Sequence, residues 1–161
     1  MLDLRLNMGL KSMPTQKQLD DVYMQTAMLH AGLSKAKRKQ VGAVLVTKSG
    51  VTLTGYNGTP AGVDNDCETV HFDGCARTLV SKAEVIHAEL NCILKAAKEG
   101  VSVEDAAIYT TLSPCVPCAA MLVNAGIKEL VWKETYRCTS GLDLLSQAGV
   151  QLRQYIEKGI T

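Results

Sequence analysis

Two short segments of this 161-residue chain hold side chains whose types and spacing could do chemistry together. The first is His87-Ala88-Glu89 and the second is Pro114-Cys115-Val116-Pro117-Cys118. One imidazole and two thiolates make a tetrahedral zinc site with the fourth position open to water. Zinc makes such a water acidic enough to act as a nucleophile in neutral solution. Glu89, close to the metal but not bound to it, would then move protons as a general acid and base. The chemistry implied is metal-assisted hydrolysis.

The elements around these residues must bring them to one point. Residues two apart do not face each other in mid-helix, so His87 and Glu89 can converge only from a first helical turn. Cys115 and Cys118 are three apart and share a helix face, and Pro114 suits the position just before or at a helix start. A helix N-terminus also favours thiolate over thiol. The pattern predicts a helix carrying Leu90, Ile93, Leu94 and Ala97 and ending at Gly100, and another from Cys115 to Ala125 stopped by Gly126. Upstream, Thr15 and Gln18 form a capping box for a first helix of about 18 residues. Val41–Thr47 and Val51–Tyr56 flank Ser49-Gly50 and read as two hairpin strands. The Gly-, Asn- and Asp-rich stretch 57–77 reads as loop. Further strands are expected at Ala106–Thr111, Leu130–Trp132 and Val150–Tyr155, with a helix at Gly141–Ala148. A hairpin followed by alternating helices and strands predicts an α/β fold, a buried sheet with helices on both faces, and one domain over 1–161.

Composition excludes several classes. No apolar run reaches the roughly 18 residues of a membrane span. Asp3 and Arg5 make Met1–Met13 a poor signal peptide, so a cytoplasmic protein is expected. With 17 basic and 16 acidic residues there is no broad basic face for a nucleic-acid backbone. The one cationic cluster, Lys35, Lys37, Arg38 and Lys39, reads either as a cation-decorated helix C-terminus or as a phosphate-binding patch. Of six cysteines, only Cys115 and Cys118 have spacing that points to a metal; Cys92 and Cys138 read as buried thiols.

The H-x-E … P-C-x-x-C arrangement is the signature of zinc-dependent nucleobase deaminases. Beyond it, Val41-Gly42-Ala43-Val44-Leu45-Val46, Gly55-Tyr56-Asn57-Gly58-Thr59-Pro60-Ala61-Gly62, His87-Ala88-Glu89-Leu90-Asn91, Tyr109-Thr110-Thr111-Leu112-Ser113-Pro114-Cys115 and Gly126-Ile127-Lys128 resemble the deoxycytidylate (dCMP) deaminases of bacteria and phages. The resemblance implies a three-layer α/β/α cytidine deaminase-like fold with a five-stranded mixed sheet. It implies zinc held by His87, Cys115 and Cys118, with Glu89 catalytic, and conversion of dCMP to dUMP plus ammonia for thymidylate synthesis. Asn57, Ala88 and Tyr136 would contact substrate. Lys37, Arg38, Lys39, Gly58 and Glu68 would form an effector site for activating dCTP, with Mg2+, and inhibiting dTTP. A homo-oligomer, with a hexamer favoured, is also implied. Some phage relatives carry a second, structural zinc; one of its cysteines falls where this chain has Ala36, but Cys67, His71 and Cys75 could still form a second metal site. The alternatives are a deaminase of another base, such as adenosine in tRNA, which would need a basic face, and a non-catalytic zinc module, whose fourth ligand would have to be Cys92.

Overall fold

The structure is a computed structural model that describes residues 13–157. The signal-peptide reading of the first residues falls largely outside that range. Helix α1 spans Gln16–Ala31 behind the expected capping box: the Thr15 side chain accepts from the Gln18 amide, and Gln18 Oε1 accepts from the Thr15 amide at 2.8 Å. Strands β1 (Gly42–Val46) and β2 (Thr52–Tyr56) form the expected hairpin. The later elements are β3 (Glu68–Asp73), β4 (Ala76–Ser81), α2 (Ala88–Glu99), β5 (Ala107–Leu112), α3 (Val116–Asn124), β6 (Glu129–Glu134), α4 (Ser140–Gln147) and β7 (Gln151–Gln154).

The main sheet has the order β2-β1-β5-β6-β7, with β1 antiparallel to both neighbours and β5, β6 and β7 parallel. This is the expected five-stranded mixed sheet. Strand alternation sorts the core into two halves. Ala43, Leu45, Ile108 and Leu130 pack with Ala88 and Cys92 of α2, Ala119 and Leu122 of α3, and Leu142 and Leu145 of α4. Val44, Tyr109 and Val131 face the other way, onto Met24 and Ala27 of α1. One helix therefore covers one face and three cover the other, giving the α/β/α layers.

Two close approaches set the site. A side chain on Gly55 would place its Cβ 2.4 Å from Ala88 O and 2.9 Å from Cys92 Sγ, so only glycine lets β2 lie this near the start of α2. A Cβ on Gly141 would lie 2.1 Å from Pro114 O, so α4 begins directly against the loop that leads into α3.

The stretch 57–77 is not all loop. β3 and β4 pair through a two-residue turn, Gly74-Cys75, in which Gly74 has φ 59° and Cys75 does not have positive φ, as a type II′ turn requires. Thr69, Val70, His71 and Phe72 against Thr78, Leu79 and Val80 supply the β-formers that the surrounding Gly, Asn and Asp residues mask. The basic cluster also departs from its helical reading: α1 ends at Ala31, and 34–39 is an irregular segment beyond it.

Candidate active site

His87 is the N-cap of α2 and Cys115 the N-cap of α3, both with extended backbone and neither spending its side chain on capping. Cys118 stands in the first turn of α3, after Pro117. Pro114 thus precedes the N-cap, and Pro117 takes the early helical position where a missing N–H is tolerated. His87 Nδ1 lies 3.5 Å from Cys115 Sγ and 3.3 Å from Cys118 Sγ. Ligands bound at about 2.0–2.3 Å with tetrahedral angles stand about 3.5 Å apart, so this triangle fits zinc. Among the described residues it is the only group of three or more His, Cys, Asp or Glu side chains close enough to hold a metal. Among the described residues no fourth protein ligand closes the set. Cys92 is turned into the core, where its thiol approaches Ala43 O and Leu53 O and burial pushes its pKa up to about 12.

The thiols are poised unequally. Cys115 is held well below the ordinary thiol range by the hydrogen bond from Cys118 and, against the opposing effect of burial, by His87. Cys118 is raised, first by giving that bond and then by its own burial. The hydrogen bond with Cys115 also raises His87. Glu89 lies in the first turn of α2 and is buried; burial pushes its carboxyl up to about 7, against smaller pulls from its own backbone amide and His87. A carboxyl near 7 both takes and gives protons in neutral water.

The surroundings hold these entrances rigidly. Asn91 donates from Nδ2 to Tyr56 O at 2.9 Å, pinning α2 to the end of β2. Ser113 links the two strands on the other side: its amide donates to Glu134 O at 2.9 Å, and its Oγ accepts from the Tyr136 amide at 2.8 Å. Cys115 and Tyr136 thereby follow the carboxyl ends of parallel strands β5 and β6, the edge at which open α/β sheets bind ligands.

A cavity of about 530 Å³ opens here, lined by His87, Ala88, Glu89, Cys115, Tyr136 and Asn57 among others. All three residues expected at the substrate therefore reach it, although the Asn57 amide is engaged with backbone, accepting from Val41 N at 2.8 Å and donating to Lys39 O at 2.9 Å. Arg137, which sequence reasoning passed over, also lines it, with its guanidinium 5.6 Å from the Tyr136 ring centre. Its adjacency to Tyr136 was the only clue.

The expected effector group divides. Lys37, Arg38 and Lys39 line a second cavity of about 580 Å³ together with Lys133, and Arg38 and Lys39 also line the first. Glu68 lines only the first, and Gly58 lines neither, pairing instead with Ile86 beside His87. The possible second metal site does not assemble among the described residues: Cys67 is buried before β3, whereas His71 and Cys75 are exposed along the hairpin and at its turn. Cys138 is exposed rather than buried, its thiol 3.4 Å from Ser140 Oγ.

Comparison with known proteins defines the class. Residues 17–134 match the family model of the cytidine and deoxycytidylate deaminase zinc-binding region, and the chain belongs to that family. Within it, the chain is similar to the deoxycytidylate deaminase of Enterobacteria phage T4, 35% identical over 85% of this chain and 90% of the relative. It is 37% identical to the Schizosaccharomyces pombe deoxycytidylate deaminase over 85% of this chain, but spans only 44% of that longer protein. The dCMP deaminase of cyanophage S-TIM5, solved in complex with dCMP and dUMP, superposes with a TM-score of 0.77 at 34% identity, covering 88% of this chain and all of the other.

Proposed function

We propose that this chain is a hydrolytic deaminase that converts dCMP to dUMP and ammonia. The observation that carries this reading is the three-ligand triangle of His87, Cys115 and Cys118, open on its fourth side and standing beside the buried carboxyl of Glu89. The similar T4 and S-TIM5 deaminases supply the substrate class.

Zinc held by His87, Cys115 and Cys118 would supply the Lewis acidity that makes water a nucleophile at neutral pH. Glu89 takes the proton of the attacking water as its oxygen bonds to carbon 4 of the cytosine, and passes that proton to ring nitrogen 3. It then takes the remaining hydroxyl proton and delivers it to the amino group as the carbon–nitrogen bond breaks. Ammonia leaves and the carbon 4 carbonyl of dUMP remains. Ala88, buried at the first position of α2, presents its backbone to the pyrimidine edge, while Tyr136 and Asn57 border the sugar and phosphate.

The same reading extends to regulation. Lys37, Arg38, Lys39 and Lys133 line the second cavity, and although Asp66, Glu134 and Glu157 pair with the three lysines, this cluster of cations suits a triphosphate such as dCTP with Mg2+, or dTTP. Arg38 and Lys39 stand in the walls of both cavities, which couples an effector to the substrate pocket. A cytoplasmic homo-oligomer, hexameric as in the family the sequence resembles, that acts as a single 1–161 domain and supplies dUMP for thymidylate synthesis completes the proposal. Among the described residues no helix is long and apolar enough to cross a membrane.

A panel of cytosine nucleotides tests this reading. Ammonia release should be fastest from dCMP, with a sigmoidal substrate curve that dCTP and Mg2+ make hyperbolic and dTTP deepens. Ammonia release only from an RNA substrate would overturn it.

A further inference from the structure

Two acids that line the catalytic cavity, Glu68 and Glu134, have no part in the reaction above, and Glu134 is paired with Lys39. Glu68, at the start of β3, is 4% exposed. Its Oε1 accepts from the backbone amides of Lys37 at 3.0 Å and Arg38 at 3.1 Å. Its Oε2 is buried without a partner, the only such side-chain nitrogen or oxygen among the described residues. An unmet buried acceptor costs about 1–3 kcal/mol. Lys37 and Arg38 use only one oxygen, so a glutamine would keep an acceptor for both amides. The second oxygen calls for a donor from outside the chain.

dCMP offers few donors. Its amino group goes to the reacting end, beside Glu89. Its phosphate carries no donor at neutral pH and would be repelled by an acid, whereas Arg38, Lys39 and Arg137 around the same cavity attract it. The 2′ carbon has no hydroxyl. The 3′-hydroxyl, on the sugar between base and phosphate, is what remains. We propose that Glu68 Oε2 accepts a hydrogen bond from the 3′-hydroxyl of the substrate sugar, which makes Glu68 a specificity-determining residue that selects nucleotides with a free 3′ end. This rests on dCMP being the substrate, and it takes Glu68 out of the effector group.

The test compares dCMP with 2′,3′-dideoxycytidine 5′-monophosphate in the wild-type chain and in Glu68→Gln, which keeps Oε1. The wild type should lose at least about thirtyfold in kcat/KM when the hydroxyl is removed, mostly through KM. In Glu68→Gln that ratio should shrink at least about fivefold. A purely structural role for Glu68 would move both substrates together and leave the ratio alone, which overturns the proposal. Equal wild-type rates on the two nucleotides overturn it without any variant. An altered dCTP response with an unchanged ratio returns Glu68 to the effector site and also overturns it. Failure of the wild type to turn over dCMP brings down the substrate reading itself, and this proposal with it.

Discussion

In the proposed centre Glu89 and the three candidate ligands have different tasks, and substitutions at each should fail differently. Glu89→Gln keeps size and burial but cannot carry protons; zinc content should stay near one per chain while kcat falls about 10²–10⁴-fold. Cys115→Ser should instead lose the metal, measured by elemental analysis, and turnover with it. Near-normal rates in Glu89→Gln would refute the proton-transfer role. Metal uptake also has a pH signature. His87 is raised and Cys118 holds its proton, so zinc must displace protons from the ligand set. Affinity for zinc should therefore rise with pH across the neutral range, and titration in weakly buffered solution should show proton release. An affinity independent of pH would contradict the arrangement.

At the scale of elements, the site depends on how closely α2 and the α3 entrance seat on the sheet. Gly55→Ala should push β2 from Ala88 and Cys92, lowering stability by about 1–3 kcal/mol and weakening zinc retention, readable as paired losses in melting temperature and metal content. Thr15→Ala removes a cap remote from the site and should cost about 1 kcal/mol with zinc content unchanged. Most of these elements were legible from the sequence because each has a local cause: the capping box at Thr15, the left-handed Gly100 with φ 65° that ends α2, and the β-branched run of β1. The β3–β4 hairpin was not, since its apolar residues lie mostly exposed within polar surroundings and leave no one-sided burial pattern. The candidate ligands were legible because zinc chemistry fixes residue type and spacing. The partition of Lys37, Arg38, Lys39, Gly58 and Glu68 between two cavities was not, because contacts such as Glu68 to Lys37 join residues 31 positions apart.

Across the whole molecule, one charged network ties the first helix to the last two strands. Arg153 of β7 donates to both Asp20 oxygens of α1, at 2.6 and 3.0 Å, and also pairs with Glu129 of β6, while Tyr109 of β5 donates to Asp20 at 2.9 Å. Burial opposes charge on Asp20, but the bonds from Arg153, Gln16 and Tyr109 together hold its carboxyl below the usual range. The folded value lies below the unfolded one, so the stabilisation is complete above about pH 4 and disappears as pH falls through the folded value. Since Arg153 is partly exposed, about 1–2 kcal/mol is at stake. Urea midpoints for wild type and Asp20→Asn should differ at pH 7 and draw together as the solution is acidified through the folded value; a constant gap would show that the carboxylate charge is not what matters.

Among the described residues the β3–β4 ladder pairs only with itself, and Phe72 at its tip is 70% exposed. A two-stranded ribbon has little cohesion of its own. In an isolated chain its amides should take up deuterium through small local openings, long before those of β1 and β5, whose exchange waits for the whole sheet to come apart.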